Sequence, residues 1–286
     1  MKVELLAFDS MGVRSMCTFV ETPDVKVMID PGVALAPNRF GLPPHPTEIE
    51  RMGEAAERIA ERGMEADVLV ISHYHYDHHD PGDVIPLEIY GGKTVLVKDP
   101  NNDINRSQRD FRAPLFLGMV KGRASRVEIA DGKSFAFGRT KVSFSGAVFH
   151  GSNSALGYVI QTMVESEGMK VIHTSDVEGP IHEDQASFLL KEKPDLAIID
   201  GPMTYMLGYR TSRDQLDSAI RNLRQIITSG VKEAVVDHHF LRDLKFREYI
   251  QAITEGADGG KVITAAEYMG QPNDLLEARR RELYRK

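Results

Sequence analysis

The chain has 286 residues, 42% of them hydrophobic and 27% charged, a globular composition that suits one large domain or two small ones. No apolar run approaches the roughly 18 residues of a membrane span, and the single cysteine, Cys17, excludes an intrachain disulfide and every zinc-finger pattern. A net charge of −7 argues against non-specific nucleic-acid binding, and Met1-Lys2-Val3-Glu4 lacks the apolar stretch of a signal peptide, so a cytoplasmic location is expected.

Val3–Phe8 reads as a mostly apolar strand and Val25–Ile29 as a second, stopped by Asp30-Pro31-Gly32. Prolines 37, 43, 44 and 46 predict a surface loop. Thr47-Glu48-Ile49-Glu50 fits a capping box, in which the cap and the third residue satisfy each other's orphan amides. Ile49, Met52, Ala56 and Ile59 follow at helical spacing, and Gly63 is placed to end that helix. Asp67–Ile71 is a short continuous apolar strand of the kind buried on both faces. Thr94–Val97 is another strand, and 104–120 a helical stretch. Period-two alternation then runs through Val127, Ile129, Phe135, Phe137, Val142 and Phe144, with Asp131-Gly132 as a hairpin signal. Leu156–Val164 and Met169–His173 predict a hairpin about Glu165–Gly168. Ser212-Arg213-Asp214-Gln215 is a second capping box before Leu216, Ile220, Leu223 and Ile227, with Gly230 beyond the end. Ala234–Val236 is a buried strand, and helices are expected near 244–255 and 273–285. No Gly/Ser-rich or Pro-rich linker divides the chain, so residues 1–286 are read as a single domain of two β-rich sheets with helices outside them.

Four of the ten histidines lie in Ser72-His73-Tyr74-His75-Tyr76-Asp77-His78-His79, directly after the strand Asp67–Ile71. A strand running into a loop aims His73 and His75 to one side, because side chains alternate, and the turn beyond brings Asp77 and His78 to a second point. Imidazole nitrogen and carboxylate oxygen are donors that Zn²⁺ accepts. A histidine tag would be terminal and would lack the interleaved carboxylate.

His73-x-His75-x-Asp77-His78 resembles the H-x-H-x-D-H signature of the metallo-β-lactamase superfamily. Further motifs of that family follow in order: Asp30 in Val27-Met28-Ile29-Asp30-Pro31-Gly32, His150 after the strand Lys141–Phe149, Asp176 in Ile172-His173-Thr174-Ser175-Asp176, and His238 after Glu233–Val236. Within the superfamily the chain is most similar to a small branch of predicted metal-dependent hydrolases. The resemblance implies an α/β fold, the αββα sandwich of two mixed sheets with helices on the outer faces. It also implies a dinuclear centre of two divalent ions, zinc first and manganese or iron as alternatives. His73, His75 and His150 would hold one ion, Asp77, His78 and His238 the other, and Asp176 would bridge them. Asp30 would stand behind the ligands and position the histidine loop, and Asp77 or Asp176 would assist proton transfer. His238 is preferred to its neighbour His239 as the residue nearer the strand end. His79 is expected behind the ligands or facing solvent, and His45, His173 and His182 at surface or satisfied positions.

Departures from the pattern narrow the activity. The lack of a signal peptide, and Asp176 at the fourth motif, disfavour antibiotic hydrolysis. His75 stands where the flavodiiron branch carries glutamate, which disfavours oxygen or nitric-oxide reduction. The stretch between Asp176 and His238 is too short for the cap domain of the β-CASP nucleases.

Residues 106–126 hold Arg106, Arg109, Arg112, Lys121, Arg123 and Arg126 against one acid, Asp110. On a helix Arg106, Arg109 and Arg112 fall roughly along one face, a shape suited to phosphate; a solvated charged face is the competing reading. Tyr205 and Tyr209, after Asp200-Gly201-Pro202, are candidate oxyanion stabilisers or simply a packed pair. The expected function is metal-dependent hydrolysis of a phosphoester in a small molecule or nucleotide. An esterase, thioesterase or lactonase is the first alternative, and a nucleic-acid-processing nuclease the second.

Overall fold

Short apolar strands alternating with amphipathic helices build two sheets that bury one face against each other and the opposite face under helices. A computed structural model of the chain describes residues 1–255 and 260–285. The first sheet runs β1 (Lys2–Phe8), β2 (Met16–Glu21), β3 (Lys26–Ile29), β4 (Val68–Ile71), β5 (Thr94–Val97) and β6 (Arg126–Ile129) in spatial order. Its first three strands are antiparallel, and β3 to β6 are parallel. The chain then crosses to the second sheet through β7 (Ser134–Phe137) and β8 (Thr140–Phe144). It makes a short ribbon of β9 (Val148–Phe149) and β10 (Tyr158–Val159), and continues through β11 (Thr162–Ser166), β12 (Met169–His173), β13 (Leu196–Asp200), β14 (Glu233–Asp237) and β15 (Lys261–Ile263). Spatial order there is β15-β14-β13-β12-β11-β8-β7, with β12 to β15 parallel and the other pairs antiparallel.

Alternate residues of both sheets meet in the middle: Leu5, Val27 and Val70 from the first, Val164, Ile198 and Val235 from the second. The helices α1 (Pro46–Glu65) and α2 (Ala113–Val120) cover the far face of the first sheet through Ala55, Ile59 and Phe116. The helices α3 (Glu183–Glu192), α4 (Arg213–Thr228) and α5 (Phe246–Thr254) cover the second sheet through Leu189, Leu223, Ile226 and Ile253. This is the αββα arrangement expected. Short helices α6 (Ala265–Tyr268) and α7 (Arg280–Leu283) complete the described chain, in which no helix is long and apolar enough to cross a membrane.

Local expectations fail where tertiary contact overrides them. The first helix is capped by the His45 ring, which accepts from the Thr47 amide while Glu48 accepts from the His45 amide, so the box sits two residues earlier than Thr47. Gly63 does not end that helix; it lies inside, where a Cβ would meet the Ile89 side chain at 2.8 Å. Asp131-Gly132 is not a hairpin but the crossover between sheets, with the Gly132 amide bonded to the Ser145 carbonyl. The stretch expected as one helix over 104–120 divides into a π-helical turn, Gln108–Arg112, and α2. The strand 141–149 breaks between β8 and β9, and 156–164 between β10 and β11. Of 273–285 only Arg280–Leu283 is α-helical; fully buried Arg280 anchors that tail through two bonds to the Glu48 carboxylate, both 2.8 Å. The Ser212 box forms as read; the hairpin forms with its first strand at Thr162–Ser166, so Glu165 and Ser166 pair with Lys170 and Met169 and the turn tightens to Glu167-Gly168.

Candidate metal centre

Parallel pairing carries the C-terminal ends of β3 and β4 in one sheet, and of β12, β13 and β14 in the other, to one edge of the sandwich, where ligands commonly bind. Beyond these ends the backbone turns sharply. Asp30, Ser175 and His238 adopt positive φ of 52°, 57° and 57°, a conformation that costs non-glycine residues energy and recurs at functional sites. After β4, the amides of His78 and His79 both bond the His75 carbonyl, at 3.0 and 3.1 Å, and fold the histidine segment into one tight turn. Gly32 is needed beneath that turn, since a Cβ there would stand 2.6 Å from the His78 carbonyl carbon.

The side chains gather around buried Asp176. Its Oδ2 lies 3.1 Å from His150 Nε2 and 3.6 Å from His73 Nε2, and His75 Nδ1 is 3.2 Å from His150 Nε2. Its Oδ1 lies 2.8 Å from His78 Nε2 and 3.2 Å from His238 Nε2, with Asp77 Oδ2 3.8 Å from His238 Nε2. Two donor sets result, His73/His75/His150/Asp176 and Asp77/His78/His238/Asp176, each with ligand atoms within 4.8 Å of one another. A third group joins Asp176, Asp200 and His239. His73 Nε2, His78 Nε2 and Asp176 Oδ1 are buried and close to opposite charge, yet make no aligned hydrogen bond. Buried polar atoms are rarely left so, and a donor set of imidazoles and carboxylates with orphaned lone pairs fits divalent cations.

Electrostatics divide the two sets. Burial, then the charges of His78 and His75, pushes His73 well below its ordinary value; burial and then His150 push His75 down to about 3. Both therefore present neutral imidazole near pH 7. For His78 burial is outweighed by Asp176 and Asp30, which raise it to about 10; Asp176 and Asp9 likewise outweigh burial and hold His238 well up. Those charges in turn outweigh burial at Asp176 and keep it ionised.

A family model described as "Beta-lactamase superfamily domain" matches residues 26–240, the span that carries all of these donors. The chain belongs to the metallo-β-lactamase superfamily. A protein of Sulfurisphaera tokodaii named UPF0282 protein is 50% identical over 288 residues, covering 100% of this chain and 94% of its own. Among solved structures, one described as a possible metal-dependent hydrolase from Veillonella parvula superposes with a TM-score of 0.53 at 15% identity, covering 88% of this chain and 94% of that one. Zn²⁺-bound PqqB from Methylobacterium extorquens also gives 0.53 at 14% identity, covering 92% and 98%. At these identities the likeness is one of fold.

As in other two-set sites of histidines, the rings are oriented from behind. Asp30 Oδ2 lies 2.8 Å from His78 Nδ1 and accepts from Ser72 Oγ at 2.6 Å, while Oδ1 accepts from the Ser72 amide at 2.8 Å. Asp9, absent from the sequence reading, does the same for His238: Oδ2 is 2.7 Å from His238 Nδ1, and Oδ1 accepts from Arg242 Nε at 2.8 Å. A signal existed, because Asp9 ends an apolar strand and precedes a glycine by three residues, as Asp30 ends another before Pro-Gly. Arg242 and the Asp200–His239 pair (3.0 Å) were also missed. The rings of His238 and His239 meet edge to face, 4.5 Å between centroids. His79 is fully buried against Tyr74 and Phe116 rather than facing solvent. His173 bonds the Met16 carbonyl, and His45 and His182 flank helix starts.

The arginine face separates. Arg106 and Arg109 are 88% and 49% exposed and paired with Asp110, away from the donors. Arg112, the last residue of the π-helical turn, is alone of the three in lining the cleft above the cluster. Tyr205 lines that cleft too, but Tyr209 is 83% exposed and does not.

Proposed function

We propose that this chain is a dinuclear metal-dependent hydrolase acting on a phosphoester of a small molecule or nucleotide, with its 286 residues forming one domain. The observation that carries the reading is Asp176, a single buried carboxylate whose two oxygens face two different sets of histidines. On this reading His73, His75 and His150 hold one ion, and Asp77, His78 and His238 the other, with Asp176 shared. Zinc suits these nitrogen and oxygen donors, and manganese or iron accept the same atoms. Ions held there would lower the pKa of a water toward neutrality and polarise the oxygens of the bond to be cut.

The chain's own residues supply the remaining steps. Asp30 and Asp9 each accept a proton bond from an Nδ1, which turns the Nε2 lone pairs of His78 and His238 toward the cluster. Asp77, with its side chain 18% exposed at the mouth, is placed to take a proton from an attacking water. Arg242, pinned by Asp9 and lining the cleft, presents fixed positive charge where an oxyanion develops. Tyr205 is a weaker candidate for that task, since its hydroxyl faces the Met203 sulfur at 3.8 Å.

The test is hydrolysis of bis(4-nitrophenyl) phosphate by zinc- or manganese-loaded protein beside Asp176→Ala, with metal content measured on both. Two ions per wild-type chain and turnover that falls to background in the variant support the proposal. A chain that holds two ions and cleaves only carboxylic esters, thioesters or lactones refutes the phosphoester class. Fewer than two ions refutes the dinuclear centre. A nuclease would instead lose nucleic-acid affinity steeply with added salt.

A further inference from the structure

The cleft above the donor cluster encloses about 550 Å³, within the usual range of small-molecule sites, and five arginines line it: Arg14, Arg39, Arg112, Arg210 and Arg242. They come from separate segments of the chain, so no sequence window shows them together. The acids in the lining are Asp77, Asp176 and Glu178, which lie in or beside the donor cluster. Two of the arginines are already bonded to a carboxylate. Arg14 makes two bonds to the Glu277 carboxylate at 2.6 and 2.7 Å, and Arg242 is held by Asp9.

The other three are not. Arg112 and Arg210 have no carboxylate within ion-pair distance among the described residues, and Arg39 stands 3.8 Å from a Glu277 oxygen that Arg14 already occupies. Arg39 Nε is buried without a hydrogen-bond partner. The guanidinium of Arg39 lies 4.4 Å over the Tyr205 ring and 4.6 Å over the Phe40 ring, and that of Arg112 lies 4.8 Å over Tyr76. Arg39 Nη2 donates to the Arg242 carbonyl at 3.1 Å, but stacking holds a guanidinium by its faces and leaves its remaining in-plane N–H groups free, and these match the oxygens of a phosphate or carboxylate. The π-helical turn adds to the argument. Its first residue, Gln108, accepts from the Tyr74 amide at 2.8 Å and approaches His75 Nε2 at 3.3 Å, while its last, Arg112, faces the cleft. One irregular turn thus ties a donor histidine to an unpaired cation, and such turns concentrate at functional sites.

We propose that Arg39, Arg112 and Arg210 form a subsite for a second anionic group of the substrate, a phosphate or carboxylate on the arm that extends from the scissile bond into the cleft. The proposal rests on the hydrolase reading for where that bond lies. It narrows the substrate to esters with a charged group at a distance from the bond cut, and it moves the anion-binding role from the exposed Arg106 and Arg109 to the cleft.

The experiment is calorimetric titration of the metal-loaded chain with methylphosphonate, propane-1,3-diphosphonate and 3-phosphonopropionate, with metal content determined in parallel. Wild type is expected to bind at least one two-ended probe about tenfold or more tighter than methylphosphonate, the scale of one charge-assisted contact. Which two-ended probe binds tighter distinguishes a phosphate-binding from a carboxylate-binding subsite. In Arg39→Gln/Arg112→Gln/Arg210→Gln that preference should vanish while methylphosphonate affinity stays within about twofold; Arg106→Gln/Arg109→Gln should keep the preference. Arg210→Gln alone, at an exposed side chain, covers the case of a triple variant that fails to fold, and should lose about threefold. A wild-type preference below about threefold, or one that survives in the arginine variants, overturns the subsite and leaves the metal reading standing. Absence of bound metal overturns the hydrolase reading separately, and in that protein diphosphonate binding that ignores the three arginines overturns the subsite as well.

Discussion

Replacing Asp9 by Asn would keep the shape of a buried residue while removing the one charge that holds both His238 and Arg242. The carboxylate accepts from His238 Nδ1 at 2.7 Å and from Arg242 Nε at 2.8 Å. An amide has one acceptor and one donor end. With its oxygen toward Arg242, its NH₂ meets His238 Nδ1 and forces the ring proton onto Nε2, the atom that faces the cluster; reversed, it opposes a donor to Arg242. Either way a buried arginine loses the carboxylate it is bonded to, at a cost of about 3 kcal/mol, the lower end for breaking a buried pair because half of the bonding survives. In a chain of this size that lowers Tm by about 6–12 °C in metal-free protein. Loss of the supporting bond should also weaken the ion at the Asp77/His78/His238 set by about 10–100-fold, leaving the other set intact. Scanning calorimetry on chelated protein reads the first effect. Zinc competition against a chromophoric chelator reads the second, as a step from two tightly held ions to one. A variant that melts within about 2 °C of wild type and holds both ions equally tightly would refute the argument.

Two further outcomes follow from the same geometry. Gly32→Ala places a methyl 2.6 Å from the His78 carbonyl carbon and 2.8 Å from the His78 amide nitrogen, closer still to the His79 amide nitrogen, so backbone must move. A loss of about 3 kcal/mol or more, together with metal uptake, is expected, and a variant with unchanged melting and metal content would contradict it. Metal uptake should also depend on pH unequally. A cation needs neutral imidazole; His75, lowered to about 3, is already neutral at pH 6, whereas His78, raised to about 10, must release a proton. His238, also held well up, must release a second proton, so affinity at the second set should rise about a hundredfold per pH unit from pH 6 to 8, and at the first set less steeply. Calorimetry in buffers of different ionisation enthalpy should detect proton release with the second ion, and equal slopes for both ions would refute the division.

Much of the centre is written locally. A metal-binding segment needs donors at short spacing just past a strand, and His73, His75, Asp77 and His78 satisfy that within six residues. His150, Asp176 and His238 are legible for the same reason, each following an apolar run that reads as a strand. The αββα layering is legible as well, since period-two strands and period-3.6 helices dictate which faces are buried. What the sequence could not give is everything that depends on two distant segments meeting. Thr47 has the right neighbours for a cap, yet the His45 ring takes the place, and in the folded chain Tyr284 packs against that ring 5.0 Å away. Asp131-Gly132 has hairpin chemistry, but its Gly132 amide pairs with Ser145, thirteen positions on, and so extends the β7–β8 ladder of the second sheet. Arg106 and Arg109 looked like partners of Arg112, but the π-helical turn breaks the 3.6 period that the expectation assumed. Asp9 and Arg242 lie 233 positions apart, and Arg39, Arg112 and Arg210 lie on three separate segments. The identity of the donors is thus a property of short stretches of chain. Their orientation, their charge states and the cationic cleft above them arise only when the strand ends of two sheets converge, because hydrogen bonds and Coulomb interactions act over ångströms in space and not along the sequence.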